Sequence, residues 1–210
     1  MVRIKFATSV FIFVLASTAA FAASQPSGAE ASFIKKFPKI FKRTGKTLFV
    51  NLQNGKSLEF TNKESDEEKE DEQTLIVSLS GYINRTGVAV LKKDFYEGGE
   101  YSILSLATGS EYVVPSAPLW SPTQEYFIAV NFDEAGYTDN EVNIGSCDKN
   151  QCIELLSKAG NTANAKWLGH KKVQYDVINF EPGTGKTSVA ETVTCEIKAE
   201  LKCSSAKPKK

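Results

Sequence analysis

The sequence predicts an all-β, antiparallel fold of about a dozen strands grouped into three repeated units. Three observations point there. From residue 47 onward, short runs rich in β-branched and aromatic residues alternate with turn residues, as strands joined by tight turns require. Helical periodicity is nowhere sustained for the length a globular helix needs. Similar stretches also recur at separations of about 40 to 55 residues.

The chain opens with the three parts of a secretory signal. A basic start at Arg3 and Lys5 leads into an apolar run over 6–15 and then small residues ending in Ala20, Phe21 and Ala22. That A-x-A pattern is what a signal peptidase accepts, so residues 1–22 are expected to be removed. The apolar run falls short of the roughly 20 residues that span a bilayer. No cysteine lies near the cleavage point to carry a lipid. Lys and Arg number 25, as do Asp and Glu. Cleavage removes two basic groups and no acid, which leaves a faintly acidic mature chain. Nucleic-acid binding is thereby disfavoured, because it needs a strongly basic surface. The expected location is outside the cytoplasm, periplasmic or secreted.

Residues 23–46 read as a disordered leader followed by a basic segment. The first ten are rich in Ala, Ser, Gly and Pro. Residues 33–46 then set Lys35, Lys36, Lys39, Lys42, Arg43 and Lys46 among Phe33, Ile34, Phe37, Ile40 and Phe41. A basic amphipathic helix of this kind suits an anionic membrane surface, so peripheral membrane contact through 33–46 is one expectation. Pro38 would break such a helix unless it begins there. The alternative is a packed segment with a solvated basic face.

The β domain is expected over 47–203, with a basic tail at 204–210. Runs 47–52 and 56–60 flank Asn54 and Gly55, a strong hairpin signal. The acidic run 65–72 reads as a solvated loop. Strands follow at 73–83 and 87–96, Gly98 and Gly99 make the next turn, and further strands are expected at 101–106, 112–114, 126–132, 141–144, 153–156, 172–180 and 188–201.

The repeats sharpen this picture. TLFVNLQNGKSLEF (47–60) parallels YSILSLATGSEYVV (101–114), with Gly55 and Gly109 in register, and VNIGSCDKNQCIEL (142–155) fits the same mould. LWSPTQEYFIAVNF (119–132) and WLGHKKVQYDVINF (167–180) each give an aromatic, a turn and an apolar strand ending in Asn-Phe. Leu119, Trp120, Ser121 and Pro122, after the hairpin around Thr108 and Gly109, resemble a blade of the TolB-type or WD-repeat-like β-propellers over about 30 residues. The separations of about 40 to 55 residues are also the period of propeller blades. Thr123 and Gln124 stand where that family usually has Asp-Gly. The resemblance implies blade-like units, about three of them, whereas closed propellers have about 4 to 8. An open stack of blade-like sheets or a twisted sandwich is the expected architecture. Propellers host many functions, so the resemblance assigns none. Trp120 and Trp167 open equivalent strands and are expected to pack between repeats.

Four cysteines, Cys147, Cys152, Cys195 and Cys203, in an exported chain are expected to form disulfides. Of three connectivities we favour Cys147 with Cys152, because a hairpin across Asp148, Lys149, Asn150 and Gln151 brings them together. Cys195 with Cys203 follows by elimination and requires a bend between them. The C-x₂-C spacing typical of structural zinc is absent.

No catalytic or cofactor motif survives inspection. Residues 182–187 look like the end of a P-loop, but Phe180 stands where the motif needs its first glycine, so a hairpin turn is expected. His170, the one histidine, sits in a turn with no nucleophile motif nearby. Asn84, Arg85 and Thr86 form a glycosylation sequon. Asn131, Asp133, Glu134, Asp139, Asn140 and Glu141 crowd oxygens around Gly136, as calcium prefers, yet without the EF-hand spacing, and no metal is assigned. The same loop, with Asp133, Glu134, Tyr137, Asp139 and Glu141 and the aromatic at its tip, is the candidate interaction surface. The expected function is that of an exported non-catalytic β domain binding a protein or envelope component. The alternatives are an extracytoplasmic hydrolase using paired carboxylates and an envelope-associated structural protein.

Overall fold

A computed structural model describes residues 28–64 and 74–208. The expected signal peptide and the acidic run at 65–72 lie outside the described residues. The fold is all-β and antiparallel, with four sheets in sequence order and none closed into a barrel. The first holds β1 (Phe41–Thr44), β2 (Thr47–Asn51) and β3 (Ser57–Thr61). The second holds β4 (Leu75–Ile83), β5 (Val88–Phe95), β6 (Gly99–Ser105) and β7 (Glu111–Val114). The third holds β8 (Leu119–Trp120), β9 (Tyr126–Val130), β10 (Glu141–Cys147) and β11 (Cys152–Ala159). The fourth holds β12 (Thr162–Trp167), β13 (Lys172–Glu181), β14 (Lys186–Ile197) and β15 (Leu201–Ala206).

The repeats fall on equivalent strands. Stretches 47–60, 101–114 and 142–155 form the last two strands of the first three sheets, and 119–132 and 167–180 supply the opening strand pairs of the third and fourth. The sheets number four, not three, because the last pair of the fourth sheet carries no recognisable copy. The strands missed in the sequence are β1, β8, β12 and the separate β15. Each is two to six residues long; β8 is only Leu119 and Trp120, and the other three are mostly polar or small residues, so alternation had little to mark.

Consecutive sheets pack face to face. Phe41, Leu48 and Val50 of the first meet Val77, Leu79, Ala89, Leu91 and Leu104 of the second. Because side chains alternate along a strand, Val88 and Ile103 face the other way, onto Phe127 and Ala129 of the third sheet. Ile128, Val142 and Ile144 then meet Val173, Tyr175, Val193 and Cys195 of the fourth. This two-sided burial explains the unbroken apolar runs 88–91 and 127–129, which are buried at every position. The outer faces of the end sheets are mainly polar instead, with Phe49 the one large apolar residue in the rows that follow. Lys42, Phe49 and Glu59 form one cross-strand row on the first sheet, and Lys166, Gln174, Thr194 and Ser204 another on the fourth. Polar outer faces end the stack, as capping repeats do in linear arrays.

The segment placed before the β domain is largely built into it. Helix α1 (Gly28–Lys36) and the turn after it pack Phe33, Ile34, Phe37 and Ile40 on the first core cluster, and Phe41 is fully buried in β1. The domain thus begins before residue 47, and residues 28–32 are helical rather than disordered. The apolar half of the basic segment faces the core, and its lysines are left to solvent.

Glu30 explains why the helix sits there. Its carboxylate is paired with the Arg43 guanidinium, and both side chains are buried. Glu30 Oε2 also accepts the Leu79 N–H at 3.0 Å, while Arg43 donates to the Val77 carbonyl at 2.7 Å. The Val77 N–H donates to Asn62 Oδ1 at 2.8 Å. Strand β4 is an edge of its sheet, and these side chains satisfy backbone groups that would otherwise be buried unpaired or open to another strand.

Both disulfides follow the pairing favoured from spacing, Cys147–Cys152 and Cys195–Cys203. Each joins directly opposed residues of the last strand pair in its sheet, β10 with β11 and β14 with β15. The first hairpin is held further by the Asp148 carboxylate, which accepts the N–H groups of Asn150 and Gln151 and is thereby kept below the usual carboxylate range. Short loops of this size contribute about 2 to 3 kcal/mol each on the chain-entropy account.

Candidate interaction cleft

The loop between β9 and β10 is folded on itself. The Asp133 carboxylate accepts the N–H groups of Ala135 at 2.9 Å and Thr138 at 2.8 Å, and the Thr138 hydroxyl at 3.1 Å. Asn131 Nδ2 donates to Thr138 Oγ1 at 2.7 Å and to the Asp139 carbonyl at 3.0 Å. Asn140 Nδ2 donates to the Asp133 carbonyl at 3.2 Å and to Asn161 Oδ1 at 3.0 Å, tying the loop to the β11–β12 connection. Partial desolvation works against the Asp133 charge, but the hydrogen bonds from Thr138, Ala135 and Tyr137 outweigh it and hold this carboxyl below its ordinary range. Of the side-chain oxygens that suggested calcium, those of Asp133 and Asn140 serve instead as the loop's scaffold. Among the described residues no group of three or more His, Cys, Asp or Glu side chains is placed to hold a metal ion.

This folding presents Tyr137 outward, 61% exposed. Opposite it stands the β5–β6 turn. Gly98 adopts φ +94°, and a Cβ there would come within 3.1 Å of Thr138 Cγ2 and 3.4 Å of Tyr137 Cβ, so the turn can approach the loop only with glycine at that position. Between the two lies a cleft of about 280 Å³. Phe95, Val113 and Tyr137 give it apolar walls, and Glu97, Glu100, Asp139 and Glu141 bring carboxylates, with no Lys or Arg in the lining. Lys93 lies 3.5 Å from Glu100 and 2.7 Å from Glu111. Glu97 and Asp139 have no ion pair among the described residues.

Eight large hydrophobic residues are exposed among those described, and Phe95, Tyr96, Val113 and Tyr137 line this cleft or stand next to it. That concentration separates it from scattered surface apolar residues, which are ordinary.

Of the five loop residues singled out in the sequence, Tyr137, Asp139 and Glu141 line the cleft. Asp133 is structural, and exposed Glu134 turns toward the β13–β14 hairpin, within 3.5 Å of where a Cβ on Gly185 would stand. The second wall, Phe95, Glu97, Glu100 and Val113, was missed. Its signal was two aromatics and a carboxylate, Phe95, Tyr96 and Glu97, at the end of β5 beside the Gly98-Gly99 turn.

A larger cleft of about 400 Å³ lies at the other end of the third sheet, beside the Cys147–Cys152 hairpin. Its opposite charges meet each other: Arg85 and Glu125 are paired at 2.5 Å. The remaining motifs lie in turns. Residues 182–185 form the β13–β14 turn, with Gly185 at φ +65°. His170 is exposed in the β12–β13 turn, and Asn84 is exposed in the β4–β5 turn. Trp120 packs on Phe127 at 5.7 Å between ring centroids, and Trp167 Nε1 donates to the Leu119 carbonyl at 3.0 Å, so both tryptophans join neighbouring elements.

No protein-family model matches the chain, and searches of curated proteins and of solved structures return no match either.

Proposed function

We propose that this protein is exported to the periplasm or secreted and acts, without catalysis, by binding a protein or envelope component. The reading rests on one observation, the cleft between the 131–140 loop and the β5–β6 hairpin, lined by three of the eight exposed large hydrophobic residues among those described, with Tyr96 next to it in sequence. Exposed aromatics framed by polar groups dominate binding energy at interfaces. The two disulfides suit an oxidising compartment. The test is capture from an extracytoplasmic extract by the wild type and by the Tyr137→Ala/Asp139→Asn double variant. Both positions are exposed, so stability is expected to change by no more than about 0.5 kcal/mol. A partner retained by the wild type and lost by the variant supports the reading. Equal recovery by both rejects it.

A further inference from the structure

We propose that the occupant of this cleft is an extended, cationic segment of a partner protein, its backbone along the edge of β7 and its Lys or Arg side chains over Tyr137 and Phe95. This rests on the functional reading above and adds the partner's chemistry. The first support is charge. Glu97 and Asp139 reach the cleft without a cation of their own, Glu141 stands with them, and no basic residue lines the walls. An anionic segment would meet repulsion there, whereas a cationic one would supply the missing counter-charges.

The second support is the shape of the walls. Strand β7 is the edge of its sheet, paired on one side only with β6, so its other side presents backbone groups to an added strand. Val113, 51% exposed, lies on that strand and in the cleft wall. The third support is the pairing of aromatics with acids. Guanidinium and ammonium groups are attracted to ring faces and bury their alkyl stems on apolar surface, so Tyr137 and Phe95 beside carboxylates suit those side chains better than aliphatic or acidic ones.

Fluorescently labelled octapeptides of alternating Arg-Val and alternating Glu-Val, matched in apolar content, test this by anisotropy against the intact mature protein. The Arg-Val peptide is expected to bind at least about ten-fold more tightly than the Glu-Val peptide, and less tightly as salt is raised. In Glu97→Gln/Asp139→Asn that preference should fall to less than about three-fold. Tyr137→Ala should weaken binding of the Arg-Val peptide, with each variant's urea midpoint confirming that it is folded. No preference between the peptides, a preference untouched by the charge variant, or Arg-Val binding indifferent to Tyr137→Ala would each overturn the proposal. Should the captured partner depend on Tyr137 while the peptides show no preference, only the cationic chemistry is wrong. Should neither depend on the cleft, the functional reading falls as well.

Discussion

Replacing Glu30 by Gln tests how the N-terminal helix is attached to the stack. Arg43 and Glu30 have side chains only 7% and 1% exposed, so neither charge can turn to solvent when its partner is lost. Removing one member of such a pair leaves an uncompensated buried charge, which typically costs about 3 to 5 kcal/mol. At about 2 to 4 °C per kcal/mol for a domain of this size, the melting temperature should fall by roughly 6 to 20 °C. The amide of Glu30→Gln can still accept from the Leu79 N–H, so exchange at Leu79 should rise less than in Glu30→Ala. The double variant Glu30→Met/Arg43→Met removes both charges and should recover most of the loss. It should retain a deficit of about 1 to 3 kcal/mol because the Leu79 N–H is left without its acceptor and the Val77 carbonyl without its donor. Urea unfolding of the wild type, Glu30→Met, Arg43→Met and the double variant gives the cycle. A loss under about 1 kcal/mol in Glu30→Gln, or a double variant no more stable than the singles, would refute the reasoning.

Two further outcomes follow from the packing and the loop. Gly145 lies under its cross-strand neighbour Phe127, and a Cβ there would stand 2.3 Å from Phe127 Cζ and 2.9 Å from the Ile153 carbonyl. Since Phe127 is fully buried and cannot swing away, Gly145→Ala should cost about 1 to 3 kcal/mol or more in urea unfolding, and an unchanged midpoint would contradict the geometry. The Asp133 carboxyl is held below its ordinary value of 3.8 in the folded loop. Its contribution to loop order is therefore complete above that value and is lost as the pH falls through the lower folded one. An NMR titration should place its midpoint below 3.8, and a midpoint at or above this would contradict the hydrogen-bond network.

Much of this architecture was legible because strand alternation and turn chemistry act locally. The hairpins at Asn54-Gly55 and Gly98-Gly99 declare themselves within a few residues, and the turn between Cys147 and Cys152 is short enough to dictate its own pairing. What escaped depends on contacts distant in sequence. Glu30 among alanines and serines reads as solvated because its partners, Arg43 and Leu79, lie 13 and 49 residues away. Strand β1 reads as part of a basic amphipathic segment because Lys42 and Arg43 interrupt its alternation, although Arg43 points inward to its buried acid. For the same reason only one wall of the cleft was visible. Tyr137 marks itself as a loop-tip aromatic, whereas Phe95 and Val113 become neighbours of it only when the second and third sheets stack.

The most direct test of the central claim is site-specific photo-crosslinking in the protein's own extracytoplasmic compartment. A benzophenone-bearing residue is placed at Tyr137 in one variant, and at Phe49 on the polar outer face of the first sheet in another. A discrete crosslinked species from position 137, absent from position 49 and diminished by Asp139→Asn, is the predicted result. Equal products from both positions, or products from position 49 alone, would contradict the assignment of the cleft as the binding surface.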